Sequence, residues 1–313
     1  MRIAVMGAGG IGGNLGGLLA RDGNEVTLIA RGAHLEAIRS RGLSVKMPGD
    51  EFTVEVQATD DPAQAGSADL VIFAVKTYHN SEAIPAMRPL VGKDTSVLSL
   101  QNGVETGGEL ARVLGWECVL PGTAIFGAFI ESPGVIVNRG LVPNVEFGEI
   151  DGSESPRVKS IADALSKAGI STRISADVTK ALWAKYMVLP TAAGMTCAAR
   201  TLIRPLLELP EARAMLIDSM REVEAIGRAK GIQMDSDVVE KSMELLEHVP
   251  WDYKVSMHVD IDRGAPLELE AFNGAVVRMG KELGVPTPVN QFLYTVLKPH
   301  MDGTPGTAGT AKS

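Results

Sequence analysis

Three glycines near the start of the chain, Gly7, Gly9 and Gly12, fall in the pattern Gly-x-Gly-x-x-Gly within Gly7-Ala8-Gly9-Gly10-Ile11-Gly12. That spacing suits the binding of a pyrophosphate. The first glycine permits a tight turn, the second lets the phosphates approach bare backbone, and the third lets a helix pack closely on a strand. The anion then meets unpaired N–H groups at the positive end of the helix dipole and needs no basic side chain. Arg31, 19 residues beyond Gly12, stands where a dinucleotide-binding chain chooses its cofactor. A carboxylate there would hold a ribose 2′-OH, whereas an arginine accommodates a 2′-phosphate. Leu28-Ile29-Ala30-Arg31 offers no carboxylate, so NADP(H) is favoured, although Arg31 also reads as an exposed residue at a helix start. Two further polar residues, Lys76 and Asn102, close the apolar runs Asp69–Val75 and Thr95–Gln101. Ligands of open α/β sheets lie beyond the carboxyl ends of strands, which would place both near the nicotinamide or the substrate. Either residue also suits a turn, the more so with Gly103 after Asn102.

These residues need a scaffold, and the chain supplies one. Ile3–Met6 is short, apolar and bounded by glycine, as a strand buried on both faces should be. Ile11, Leu15, Leu18 and Leu19 then recur at helical spacing, and Glu25–Ala30 is a second strand. The stretch from Ile3 to Ala20 is free of charge, yet seven of its eighteen residues are glycine. Each interior glycine weakens a helix by about 1 kcal/mol, so strand, turn and helix is a better reading than a spanning segment or signal peptide. From Cys118 to Gly148, β-prone stretches at Thr123–Ile130, Gly134–Asn138 and Asn144–Ile150 read as the last, partly antiparallel strands of the same sheet. A helix over 156–168 and a strand near Thr172–Ile174 would close the domain, with a linker at Ser175–Asp177. Beyond it, 177–200, 210–231, 235–248, 266–284 and 290–300 all read as helices. The expected architecture is α/β: an N-terminal Rossmann-type domain (1–175), a C-terminal all-α domain (176–301) and a disordered tail (302–313).

Composition narrows the function. With 313 residues, 45% of them hydrophobic, the chain is long enough for two cores. Its 34 glycines exceed the ordinary share without any collagen period, so tight backbone is in use. A net charge of −8 disfavours nucleic acid as a partner. Cys118 and Cys197 read as plain thiols, and the five histidines include no pair at zinc spacing, so no metal is expected. The absence of a long apolar run points to a cytoplasmic protein without a membrane partner. Apolar helix faces in the second half could pack within the chain or across a homodimer.

The order and spacing of several motifs carry a resemblance: Gly-x-Gly-x-x-Gly at residue 7, Ala-Val-Lys76-Thr, Leu-Gln-Asn102-Gly, Trp183-x-Lys185, Ser256-Met257, and Glu268 before Asn273-Gly274. Over about residues 1–300 the chain resembles the ketopantoate reductases, or 2-dehydropantoate 2-reductases. The resemblance implies NADPH-dependent reduction of a 2-oxo acid to a 2-hydroxy acid, the step from 2-dehydropantoate to pantoate in pantothenate biosynthesis. It also implies roles. Gly7, Gly9, Gly12 and Arg31, with Ala8, Gly10 and Ile11 between the glycines, match the cofactor grip, and Lys76 and Asn102 match positions near nicotinamide and substrate. Lys185 matches the general acid and Glu268 its acidic partner. Ser256 matches a hydroxyl for the substrate carboxylate, with Asn273 as an auxiliary contact. Lys180 competes for the role of Lys185, but five residues is about 500° of helix, so the two face different ways.

One departure bears on substrate. The family usually places asparagine four and eight residues after the lysine, on the same helix face; here those positions are Leu189 and Ala193. No asparagine occurs between Asn144 and Asn273 to restore them by a slip of register. A more apolar wall would hold a hydroxylated substrate less tightly, so another 2-oxo acid or carbonyl compound with an apolar tail is the alternative. Pro190 should also kink this helix, because it lacks an N–H and crowds the carbonyl of Tyr186. A catalytically silent NADP(H) sensor and an imine-reducing dehydrogenase are the readings from other classes.

Overall fold

The computed structural model describes residues 1–140 and 142–303. The first half alternates strand and helix: β1 (Arg2–Met6), α1 (Gly10–Arg21), β2 (Glu25–Ile29), α2 (Gly32–Arg41), β3 (Leu43–Met47), β4 (Asp50–Val54), β5 (Gln57–Thr59), α3 (Pro62–Ala65), β6 (Ala68–Phe73), α4 (Asn80–Ala86), β7 (Val91–Ser99), α5 (Thr106–Leu114) and β8 (Val119–Ala124). There follow β9 (Ala128–Ser132), β10 (Val135–Asn138), β11 (Asn144–Phe147), α6 (Pro156–Lys167) and β12 (Ser171–Ile174). The rest is helical: α7 (Val178–Ala199), α8 (Ile203–Glu208), α9 (Pro210–Ala229), α10 (Val238–His248), α11 (Ser256–Asp262), α12 (Ala275–Leu283) and α13 (Pro288–Leu297). The chain forms two compact units, one of 1–101 with 105–181 and one of 102–104 with the residues from Leu182 onward. None of the described helices is long and apolar enough to cross a membrane.

In the first unit an eight-stranded sheet runs in the order β12-β11-β8-β7-β6-β1-β2-β5. From β5 to β8 every pairing is parallel. The chain winds outward from β1 through β2 to β5, then crosses to β6 on the other side of β1. The order therefore reverses between β1 and β6, and the carboxyl ends of these strands flank the crevice where such sheets bind ligands. Val5, Leu70, Val71, Ile72 and Phe73 are completely buried, as strands covered on both faces require.

The three β stretches expected to finish this sheet divide between two sheets instead. β8 and β11 pair antiparallel in the main sheet, and β12 lies parallel to β11. β9 and β10 join the hairpin β3–β4 in a second, four-stranded sheet of order β4-β3-β10-β9. The break falls at Ile125–Gly127, where Ile125 turns out to solvent. A pairing such as that of β10 with β3, about 90 residues earlier in sequence, leaves no local mark. The helix α6 is more legible: Ser155 accepts from the Val158 amide at 3.3 Å and Pro156 fills the first turn.

The second unit is built around α7 and α9. Leu216, Met220, Val223 and Ile226 of α9 form one buried stripe, packed in a core with Trp183, Tyr186 and Met187 of α7 and Val276 of α12. Glu222, also buried, accepts from the amides of Val289 and Asn290 at 2.7 and 2.9 Å and so caps α13. The helix expected over 266–284 begins only at Glu270, as a π-helical turn (Glu270–Gly274) that feeds α12, and Gly284 ends α12 in a left-handed conformation. α8 and α11 are short helices that the hydrophobic periodicity did not announce. α7 continues through Pro190, and the Asn273 amide donates to the Pro190 carbonyl at 3.1 Å. The tail expected to be disordered lies outside the described residues from 304 onward.

Candidate functional site

The glycine-rich turn sits at the carboxyl end of β1. Gly7 has φ +102°, and a Cβ there would stand 2.8 Å from the amide nitrogen of Val75, just past β6. A Cβ on Gly12 would come within 2.2 Å of the Gly7 carbonyl, which is the close helix–strand approach its position predicts. Gly10 is held to glycine by the second sheet, since its Cβ would meet the Ala128 carbonyl at 2.0 Å. Gly9 differs from all of these: a Cβ there would have no neighbour within 4 Å. It caps α1 with no side-chain hydrogen bond, so the amides of the first turn, from Gly10 through Gly12, open onto a bare backbone cradle. That cradle fits a dinucleotide pyrophosphate.

The turn is pinned from behind by His34. Its Nδ1 accepts from the Gly134 amide at 3.0 Å, so Nε2 carries the proton and donates to the Ala8 carbonyl at 2.9 Å. Burial lowers the pKa of this imidazole and favours the neutral form that such a bridge requires. Arg31 precedes α2 with its side chain 66% exposed and 3.8 Å from the Glu82 carboxylate. A contact that long and wet leaves the guanidinium available. Lys76 follows β6 and opens a short 3₁₀ turn over Thr77–His79. The preceding carbonyl, that of Val75, accepts from the Gln101 amide at 2.5 Å, and Gln101 also donates to Asn80 at 2.7 Å.

In the second unit Lys185, Asn102 and Glu268 come together. The Lys185 ammonium donates to Asn102 Oδ1 at 2.9 Å. Burial lowers the lysine pKa from 10.5 to about 8, and the Glu268 carboxylate, itself buried, holds it from falling further. Gly103 (φ +97°) turns the Asn102 loop past Ala271, whose carbonyl would lie 3.6 Å from a Cβ there. The Tyr186 hydroxyl lies 3.0 and 2.8 Å from the carbonyl oxygens of Ala271 and Phe272. Ser256 is the first residue of α11. The next residue, Met257, joins a buried apolar cluster with Ala193, Cys197, Leu267, Leu269 and Phe272, and Leu189 packs against its edge. Asn273, expected as a substrate contact, is fully buried and donates to Pro190 O and to Asn290 Oδ1 at 2.9 Å. Among the described residues no group of three or more His, Cys, Asp or Glu side chains could hold a metal.

Sequence reasoning missed His34, Gln101 and Tyr186. Neither zinc spacing nor a nucleophile motif marks the histidine; its signal is its place three residues after Arg31, on the helix that follows the second strand. Gln101 adjoins Asn102, so a strand-end motif could have been read one residue wider. Tyr186 carries no local signal, because its partners lie 85 and 86 residues away.

Comparison with known proteins shows the family. Residues 3–152 match the family model of ketopantoate reductase PanE/ApbA, and residues 177–301 match its C-terminal model. The 2-dehydropantoate 2-reductase of Mesorhizobium japonicum is 32% identical over 92% of this chain and 94% of its own length. That of Halobacterium salinarum is 31% identical over 95% and 98%. A ketopantoate reductase structure from Ralstonia eutropha JMP134 superposes with a TM-score of 0.90 at 32% identity, covering 96% of this chain and 99% of that one. D-mandelate dehydrogenase with NADH and anilino(oxo)acetate superposes with a TM-score of 0.89 at 26% identity, covering 96% and 98%. The chain belongs to the ketopantoate reductase family of oxidoreductases.

Proposed function

We propose that this protein reduces a 2-oxo acid to a 2-hydroxy acid with NADPH. Residues 1–175 would hold the cofactor and 176–301 the substrate. The single observation that carries the chemistry is the half-buried Lys185, bonded to Asn102 and brought to about 8 beside Glu268. When bound, the reduced nicotinamide supplies the hydride. The charge that then develops on the carbonyl oxygen needs a nearby cation and a proton. Lys185 supplies both: it is charged at neutral pH yet releases its proton more readily than a solvated lysine. Glu268 keeps the ammonium form populated, Asn102 orients it, and Ser256 would donate to the substrate carboxylate. Gly7, Gly9 and Gly12 offer the pyrophosphate cradle, and Arg31 meets the 2′-phosphate with a fork of donors that suits it. Lys76 would lie at the nicotinamide end.

Curated relatives are named for 2-dehydropantoate, which is therefore the first substrate to test. A second reading has its own support: Leu189, one helical turn after Lys185, packs at the edge of an apolar cluster that holds Met257. That wall favours a 2-oxo acid with an apolar side chain, and a structural neighbour is a mandelate dehydrogenase. Initial rates of NADPH oxidation with 2-dehydropantoate and with a panel of branched and aromatic 2-oxo acids decide between the two. A lead for 2-dehydropantoate of orders of magnitude in kcat/KM removes the second reading. Lys185→Ala should lower kcat by about 10²–10⁴-fold, the usual worth of a general acid, with the Kd for NADPH unchanged. Unchanged turnover would end the assignment of Lys185 as the acid, whereas no turnover in wild type with any 2-oxo acid would leave a nucleotide-binding sensor.

A further inference from the structure

The proton donor is one residue away from a second built feature. Lys185 and Tyr186 are consecutive in α7 and reach different parts of the same neighbourhood, Lys185 to Asn102 and Tyr186 to the π-helical turn that follows Glu268. The Tyr186 ring is almost completely buried, edge-on to Trp183 with ring centres 5.7 Å apart. Its hydroxyl has a single proton to share between the carbonyls of Ala271 and Phe272. The N–H groups of the same two residues donate to the Glu268 carbonyl at 3.2 and 3.1 Å. A short hydrogen-bonded path thus runs from α7 through one peptide unit, that joining Ala271 and Phe272, to the backbone of Glu268. One helical turn further along α7, the Pro190 carbonyl takes the Asn273 amide from the far end of the same segment. A π-helical turn is a wide and uncommon conformation, so ties of this kind fix where its flanks lie.

We propose that Tyr186 is a positioning residue, its hydroxyl strapping the π-helical turn to α7 so that the Glu268 carboxylate stays beside the Lys185 ammonium. This rests on the assignment of Lys185 and Glu268 as the proton-transfer pair. Glu268 is the charged group that supports the lysine proton against burial. If the turn relaxes and the carboxylate recedes, the ammonium becomes more acidic. A tyrosine that only fills space would leave that acidity alone once its ring is kept.

The experiment follows the lysine proton directly. Competitive acetylation across the pH range, read peptide by peptide in a mass spectrometer, gives the titration of Lys185 without turnover. The basic limb of the kcat/KM profile for NADPH-dependent reduction gives it with turnover. Tyr186→Phe should move both downward by about half to one pH unit, the scale on which one displaced neighbouring charge acts. Glu268→Gln should move them further, and adding Tyr186→Phe to it should move nothing more, because both act through one carboxylate. A Lys185 titration in Y186F that overlays wild type, whatever the change in Tm, overturns the proposal. So does a shift of equal size in the E268Q background. Failure of the underlying reading looks different: wild-type turnover would then ignore the Lys185→Ala change, while the acetylation titration still reports whether Tyr186 governs the lysine.

Discussion

At the scale of single residues, the site trades stability for reactivity. An ordinary solvated lysine is protonated to about pH 10.5, and Lys185 gives up its proton near 8 because burial disfavours the charge. With Lys185 as the proposed proton donor, reduction needs the ammonium form, so its rate should be flat at neutral pH and fall as pH rises through about 8. The reverse oxidation needs the amine and should rise over the same range. Linkage fixes the sign of the effect on folding. Between about 8 and 10.5 the unfolded chain holds a proton that the folded one has released, so stability rises with pH through that window. Below it the buried charge is a standing liability. Lys185→Met should therefore raise the Tm at pH 7 while abolishing reduction, and the gain should fade as the pH approaches 10.5. A Tm at or below wild type at pH 7 would show that Asn102 and Glu268 already compensate the burial in full. None of this was legible from lysine content. The resemblance singled out Lys185 and Glu268, but the bond to Asn102 depends on a loop 83 residues earlier in the chain.

At the scale of elements, α1 explains the glycine excess better than the motif does. Three motif glycines were expected from phosphate binding, yet four others share the same helix. Gly16 faces the main sheet, where a Cβ would meet Leu28 at 2.7 Å, and Gly13 and Gly17 face the second sheet, where it would meet Ile136 at 2.9 Å and Val45 at 2.7 Å. The helix is clasped between two sheets at backbone distance. The sequence showed a need for tight backbone but not its cause, because β3, β4, β9 and β10 are short and the pairing that joins their two hairpins, β3 with β10, is between distant segments. This separates two neighbouring positions. Gly10→Ala drives a methyl into the Ala128 carbonyl and should destabilise the fold by about 1–3 kcal/mol, as overpacking does. Gly9→Ala meets only open space at φ −73°, which alanine adopts freely, and should leave the Tm nearly unchanged. The same methyl would stand in the cradle proposed for the pyrophosphate, so it should raise the Kd for NADPH at least tenfold. Calorimetry and fluorescence titration of the two variants check both halves. A G9A protein that binds NADPH like wild type would move the cofactor away from this turn.

At the scale of the whole molecule, charge works against the proposed cofactor and geometry must overcome it. The chain carries a net charge of −8, and NADPH is itself a polyanion, so the long-range field is repulsive. Attraction has to be local. The first turn of α1 offers amides to any dinucleotide, whereas Arg31 at the start of α2 offers a full charge only where a 2′-phosphate would sit. Glu82, 3.8 Å away and 70% exposed, takes little from it. Binding to the folded state alone raises stability by RT ln(1 + [L]/Kd), about 2.7 kcal/mol at a hundredfold excess over Kd, so preference between cofactors can be read as a difference in melting. In wild type, NADPH should raise the Tm more than NADH at equal concentration. Arg31→Ala should remove most of that difference by weakening NADPH about 10- to 100-fold, the scale of one charge-assisted phosphate contact, while NADH keeps its smaller shift. Salt should narrow the gap in wild type and hardly affect it in the variant, because the lost term is a charge contact near the surface. Equal shifts for the two cofactors in wild type would make Arg31 a plain surface residue at a helix start and return the choice of cofactor to NADH, which the structurally similar D-mandelate dehydrogenase holds.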